Sequence, residues 1–192
     1  MVGQEAYGRV SPRGDKQLTS QARREANQTV RLWAREIEGS VLSIGSGDDS
    51  DGEGRRYRDY FPNCTSYKTS ETTNAHTACD MILDVRDMSL PNESVDCIFC
   101  SAVLEHVDDI QAAMNEMTRI LCSGGILLLG VPFRQPIHMA PNDYWRFTEH
   151  GILYLLRHYH VMNIVPLDHS VLNFPSAYWA RAQKPYGVTN DN

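Results

Sequence analysis

Gly45, Gly47 and the carboxylates after them are the first residues of the chain whose types and spacing can do chemistry together. Val41-Leu42-Ser43-Ile44 is a short run dominated by branched aliphatics, and it leads into Gly45-Ser46-Gly47-Asp48-Asp49. An apolar run closed by Gly predicts a buried strand, and Gly-x-Gly lets the backbone turn tightly enough for a ligand to come close. Open α/β sheets place a cofactor there, beyond the carboxyl end of a first strand. A second segment, Tyr67-Lys68-Thr69-Ser70-Glu71, ends in an acid whose two oxygens suit the paired hydroxyls of a ribose.

The acidic loop admits several chemistries. A dinucleotide fingerprint requires a third Gly where Ser50 stands, and the crowd of Asp48, Asp49, Asp51 and Glu53 repels a pyrophosphate. A calcium loop starting at Asp49 brings Asp51, Glu53 and Gly54 into register, but Tyr60 occupies the position that needs a bidentate Glu. A cofactor bearing an amine and a sulfonium, both cationic, suits acid beside a Gly turn. The plain alternative is a solvated loop paired with Arg55, Arg56 and Arg58. Cys97 and Cys100 form a Cys-x-x-Cys, but they lie in the apolar run Val95 to Ser101. Positions three apart in a strand face opposite ways, so a shared zinc is not expected, and no metal is predicted elsewhere. Five cysteines are an odd number with no secretory signal before them, which reads as reduced thiols in a cytoplasmic chain.

The elements that must position these residues follow from pattern. A chain of 192 residues with 42% hydrophobic content predicts one domain with a sizeable core. That domain is expected over residues 20–185, after a mobile arm at 1–19 and before a frayed tail at 186–192. Tyr7, Arg9 and Arg13 of the arm could fold over a ligand. A net charge of -6 gives no bulk attraction for nucleic acid, and no apolar run approaches the roughly 20 residues a membrane span needs. Ser20 is placed to cap a helix reaching about Glu38, with Val30, Trp33, Ala34 and Ile37 as its apolar stripe and Gly39 as its stop. Its Arg23, Arg24, Arg31 and Arg35 are assigned to the wet face.

Cys79 to Leu83 is a further short apolar stretch, and Val95 to Ser101 has the composition of a central strand. After Asp108-Asp109 comes a helix striped by Ile110, Ala113, Met114, Met117, Ile120 and Leu121, stopped by Ser123-Gly124-Gly125. Ile126 to Val131 is the next strand. Thr148 caps a last helix with Ile152, Leu155, Leu156 and Tyr159, and Val161 to Val165 is a sixth strand. Residues 178–182 supply a short antiparallel seventh. Alternation of this kind predicts an α/β fold, a doubly wound, mostly parallel sheet with helices on both faces.

In order along the chain stand Val-Leu-Ser-Ile-Gly-Ser-Gly at 41–47, Glu71, Asp84-Val85 with Leu90-Pro91, Val103-Leu104-Glu105-His106-Val107, and Arg119-Ile120-Leu121 followed by Gly124-Gly125. On these elements, residues from Val41 to about Tyr159 resemble the class I S-adenosylmethionine-dependent methyltransferases of the small-molecule, type 11-like kind. The stretch Val131-Pro132-Phe133, His138 and Pro141 to Thr148 resembles a subgroup associated with bacterial sugar, glycan or natural-product methylation.

The resemblance implies S-adenosyl-L-methionine as methyl donor and a role for each matching residue. Gly45, Ser46 and Gly47 would pass under the methionine part, Glu71 would take the ribose hydroxyls, and Ser101 would line the methionine side. Asp84 would accept from the adenine amino group while the Val85 amide donates to the ring. Ser43 stands where the family carries an acid, and Asp49 where it often carries Gly. Ser43 offers no charge to the ammonium, so Asp48 or Asp49 would substitute.

Methyl transfer to a hydroxyl needs a base, and imidazole titrates near neutrality, so His106 and His138 are the candidates. Asp143 shares the loop of His138. Arg146 either orients an acceptor's carboxylate or phosphate or pairs with Asp143, and Tyr144 and Trp145 give an apolar wall or stack on a sugar. The expected reaction is O-methylation of a small-molecule hydroxyl. An N-methyltransferase, a non-catalytic donor-binding module and, less well matched, a nicotinamide-dependent oxidoreductase remain beside it. Oligomeric state has no signal in the sequence.

Overall fold

The computed structural model describes residues 20–73, 79–168 and 170–187. The expected arm at 1–19 lies outside the described residues, as does the tail from 188 onward. The elements are α1 (Gln21–Ala34), β1 (Gly39–Ile44), β2 (Cys64–Glu71), β3 (Met81–Ile82), β4 (Val95–Ser101), α2 (Ile110–Ile120), β5 (Leu121–Pro132), α3 (Glu149–Leu155), β6 (His160–Leu167) and β7 (Ala177–Gln183). Single turns of 3-10 helix at Tyr57–Tyr60 and Leu104–His106 follow β1 and β4.

All seven strands form one sheet in the order β3-β2-β1-β4-β5-β7-β6. The strands from β1 to β5 pair in parallel, while β7 runs antiparallel to both of its neighbours. From β1 the chain moves outward to β2 and β3, then returns across β1 to lay β4 on its other side. That reversal opens a crevice beyond the carboxyl ends of β1 and β4, where open α/β sheets bind ligands.

Side chains alternating along the central strands build an apolar layer on each face. Ile98 and Cys100 join Leu127 and Leu129 under Met114, Met117 and Ile120 of α2 and Ile152 of α3. Cys97 and Phe99 join Val41, Leu128 and Trp179 under Val30 and Ala34 of α1. The two cysteines of the Cys-x-x-Cys therefore lie in opposite layers, and burial pushes both thiols up. Phe99 stacks on Trp179 with ring centroids 5.5 Å apart. Among the described residues no helix is long and apolar enough to cross a membrane.

Several boundaries depart from the sequence expectation. Ser20 does cap α1, its hydroxyl accepting from the Arg23 amide at 3.2 Å, but the helix stops at Ala34 rather than near Glu38. The amides of Glu36 and Ile37 close three-residue turns onto Trp33 and Ala34, and Gly39 opens β1 instead of capping the helix. At Gly39, with φ +78°, a Cβ would run into the Asp96 carboxylate, which accepts from both the Ser40 amide and hydroxyl at 2.7 and 2.8 Å. Arg31, assigned to the wet face, donates to the Tyr60 hydroxyl at 2.9 Å and lies over its ring. Gly124-Gly125 does not stop α2. The helix ends at Ile120, and Leu121 pairs directly with Val95. The ladder then slips, so that Cys97 faces Ile126 and residues 122–125 bulge within β5.

Candidate active site

The crevice holds two adjoining cavities, about 600 Å³ and about 400 Å³. Ala102, His106 and Met139 belong to the walls of both. Gly45, Gly47, Glu71, Asp84 and Val85 line the first; Ser101, Glu105 and His138 line the second, with Arg23 and Tyr57 opposite.

The turn after β1 is stitched to the end of β2. Ser46 donates its amide to the Ser70 carbonyl at 3.1 Å, and the Gly47 amide donates to the Glu71 carboxylate. At Gly47 a Cβ would meet nothing within 4 Å, so this glycine leaves a clear floor under the first cavity. Its φ of +56° is itself in the left-handed region that favours Gly.

Asp84, at the far end of the same cavity, accepts from Arg86, which also reaches Asp108 at 2.6 Å. Those hydrogen bonds hold the Asp84 carboxyl below its usual range. Val85 is buried beside it.

Neither Ser43 nor Asp49 lines the crevice, and Ser46 turns its hydroxyl to Ser70. Asp49 is 4% exposed at φ +61°; its carboxylate takes the Tyr67 hydroxyl at 2.8 Å and Arg58 Nε at 3.0 Å. Ser43 is buried beside the same Tyr67 hydroxyl. Desolvation and Asp49 together push that phenol far above its ordinary value. Asp49, expected to stand in for an acid at position 43, is thus engaged inside the protein. Asp48 stays exposed and accepts from the Ser50 amide.

The second cavity ends on a cluster of Glu105, His106 and His138. The imidazoles meet edge to face with centroids 4.9 Å apart. Nε2 of His106 lies 3.9 Å, and Nε2 of His138 4.0 Å, from the same Glu105 oxygen. The other Glu105 oxygen, Oε2, is buried and has no hydrogen-bond partner among the described residues. Burial pushes the Glu105 carboxyl up to about 7.

Comparison with known proteins agrees with this geometry. Residues 54–129 match the family model described as a methyltransferase domain. The fold is that of the class I methyltransferases. No curated protein sequence matches it. Among solved structures, the cyclase SpnF superposes with TM-score 0.66 at 14% identity, over 91% of this chain and 85% of that one. The Burkholderia thailandensis 1,6-didemethyltoxoflavin-N1-methyltransferase gives 0.65 at 15%, over 85% and 78%. NodS, an N-methyltransferase of Bradyrhizobium japonicum, gives 0.64 at 18%, over 84% and 87%. At such identities the likeness is one of fold, shared by a cyclase and two methyltransferases alike.

The loop after β5 is held by its own ion pair. Arg146 grips both Asp143 oxygens at 2.6 and 2.8 Å and donates to the Gln135 and Pro136 carbonyls. Asp143 also accepts the His138 amide at 2.7 Å. Arg146 and Asp143 therefore fix the loop that carries His138. Tyr144 and Trp145 donate their amides to the Glu105 carbonyl, and Trp145 Nε1 donates to Val107 at 2.8 Å, tying that loop to the turn after β4. Sequence reading assigned no role to Glu105. Its only signal was an acid beside a His just past the carboxyl end of a central strand. Arg86 carried no signal at all, since its reach to Asp108 depends on the fold.

Proposed function

We propose that this chain transfers a methyl group from S-adenosyl-L-methionine to a hydroxyl of a small-molecule acceptor. The observation that carries the reading is the pair of cavities sharing the wall of Ala102, His106 and Met139: one has the features of a donor site, the other of an acceptor site. S-adenosylmethionine supplies, when bound, an electrophilic methyl on a positively charged sulfur.

The residues of the first cavity suit that donor. The clear floor at Gly47 admits close approach, and the Glu71 carboxylate at the end of β2 keeps acceptor capacity beyond its bond to the Gly47 amide, enough for a vicinal diol. Asp84 accepts from an exocyclic amine, and Val85 and Leu83 offer apolar contact to a flat base. A donor ammonium meets no free carboxylate from position 43 or 49, so its recognition rests on main-chain carbonyls and water.

On the acceptor side the chain positions and desolvates. Exposed Met139 on the shared wall, with Val131, Pro132, Leu167 and Tyr178 of the second cavity, gives an apolar side suited to a molecule with a ring or apolar face such as a sugar or a natural product. Its hydroxyl would lie against Glu105, His106 and His138, where the proton is drawn off. Calorimetry with S-adenosylmethionine, S-adenosylhomocysteine and a nicotinamide dinucleotide tests the donor site, and mass spectrometry of hydroxylated and amine acceptors tests the reaction. Binding of the first two followed by a gain of one methyl on a hydroxyl is expected. Binding of only the nicotinamide overturns the reading. Methylation confined to amines replaces the hydroxyl with nitrogen.

A further inference from the structure

The cluster beyond the acceptor cavity is ordered in a way that a base alone does not require. His106 Nδ1 lies 2.6 Å from the Asn142 carbonyl oxygen, and His138 Nδ1 lies 3.2 Å from that of Pro136. A carbonyl only accepts, so each neutral ring carries its proton on Nδ1 and keeps a lone pair on Nε2. Both lone-pair nitrogens face one carboxylate that is 1% exposed, and the donor atoms of all three side chains lie within 4.8 Å of one another. A carboxylate oxygen buried without a partner, as Glu105 Oε2 is, is unfavourable unless a cation is close.

We propose that Glu105, His106 and His138 bind one divalent first-row transition ion, with its remaining coordination positions open to the acceptor cavity. Such an ion sits about 2.1 Å from imidazole nitrogen or carboxylate oxygen, so ligand atoms around it stand at most about 4.2 Å apart. The two nitrogen-to-oxygen separations, 3.9 and 4.0 Å, fall inside that limit and need to close to about 3.4 Å around a tetrahedral ion, a small turn of the side chains. Side-chain rotation of the partly exposed His138 closes the remaining gap between the rings. The outer partners are in place as well. Asn142 orients His106, while Pro136 and, at 3.4 Å, the Asp143 carboxylate orient His138 from behind, the arrangement that fixes metal-bound imidazoles. Arg146 neutralises Asp143, so the charge left facing the cation is that of Glu105. Two nitrogens and one carboxylate suit zinc, manganese or iron better than calcium or magnesium, which take oxygen.

This site rests on the reading of the second cavity as the acceptor site and specifies how the hydroxyl is activated there. An acceptor oxygen occupies an open position, its O–H bond breaks, the proton leaves to solvent, and the oxygen keeps the electron pair while held by the metal.

The test uses the full chain, stripped of metal and titrated with Zn²⁺ and Mn²⁺ by calorimetry, with metal content counted after dialysis. One ion per chain is expected. His138→Ala and Glu105→Gln should each weaken binding by more than about a hundredfold, beyond the loss seen when only an outer partner is removed. Binding of S-adenosylhomocysteine, measured on the same samples, should stay within twofold. His138 lies in a loop at the surface, so its variant keeps the test alive if Glu105→Gln fails to fold. No metal on wild-type protein that still binds S-adenosylhomocysteine overturns the site and leaves the methyltransferase reading standing. An ion whose affinity is indifferent to both substitutions also overturns it. Metal binding without donor binding would instead sink the transferase reading alone.

Discussion

Replacing Glu71 is the sharpest probe of the donor site. In the free protein its carboxylate accepts the Gly47 amide, so the residue both shapes the turn after β1 and faces the first cavity. Bound to a ribose, it would accept two further hydrogen bonds, each worth about 1.5–3 kcal/mol as bonds to a charged group. Glu71→Ala should therefore cost about 3–6 kcal/mol before water replaces the lost acceptor, and a fall of about a hundredfold in affinity after it. Glu71→Gln keeps one carbonyl oxygen for Gly47 but loses the charge, so about a tenfold loss is expected from it.

Stability should change little. The half-buried Gly47 amide can turn to water, a loss of about 1 kcal/mol, or roughly 2–4 °C in Tm for a chain of this length. Calorimetric titration with S-adenosylhomocysteine reads the affinity and differential scanning fluorimetry the fold. An Ala variant that binds like wild type would refute the placement of the ribose at the end of β2. A variant that loses binding only by unfolding would show that Glu71 serves the turn alone.

Three further outcomes are expected. Asp49→Ala removes the acceptor of the buried Tyr67 hydroxyl and of Arg58, so it should destabilise by about 1–3 kcal/mol in urea unfolding yet leave S-adenosylhomocysteine affinity within threefold; a tenfold loss in folded protein would mean that this carboxylate does serve the donor's ammonium. Gly130→Ala places a methyl 2.6 Å from the Trp179 indole in the middle of β5, and overpacking of about 1–3 kcal/mol should appear as a lower urea midpoint, with wild-type stability arguing against this packing. Arg146 holds the Asp143 carboxyl well below the usual carboxylate range, so the pair's contribution is full above the unfolded value of about 4 and is lost as pH falls through the depressed folded one. The Tm deficit of Asp143→Asn should accordingly be equal at pH 5 and pH 8 and shrink only in stronger acid; a deficit that grows between pH 5 and 8 would exclude this pair as its cause.

The fold was legible wherever burial acts on consecutive residues. Val95 to Ser101 reads as a central strand because both its faces are covered, and the stripe of α2 reads correctly because Ala113, Met114, Met117 and Ile120 all meet one layer. The expectation failed where a tertiary partner overrode a local signal. Gly124-Gly125 looks like a helix stop, yet it serves a bulge that pairs Gly124 and Gly125 with Lys184, just past β7. Gly39 looks like a helix cap, yet it clears space for Asp96, distant in sequence. In both cases the glycine was recognised as special, and what it accommodates is distant in sequence.

The same division runs through the site. Gly45, Gly47, Glu71 and Asp84 lie at or just past the ends of parallel strands, so their meeting around one cavity can be read from a single sequence. Ser43 and Asp49 are different, because each makes sense only with Tyr67. A phenol brought from β2 over the end of β1 needs a small neighbour beneath it and an acceptor for its hydroxyl. Ser43 is the first and Asp49 the second, with Arg58 balancing the charge. Together, these residues place a carboxylate in the turn after β1 but turn it away from the crevice. Glu105 follows the same logic: its neighbour in sequence is His106, but the lone pair it faces from His138 arrives from beyond β5, on a loop locked by Asp143 and Arg146. Residues that act through the backbone can be read one at a time, whereas those that act through buried charge depend on where their opposite partners come from.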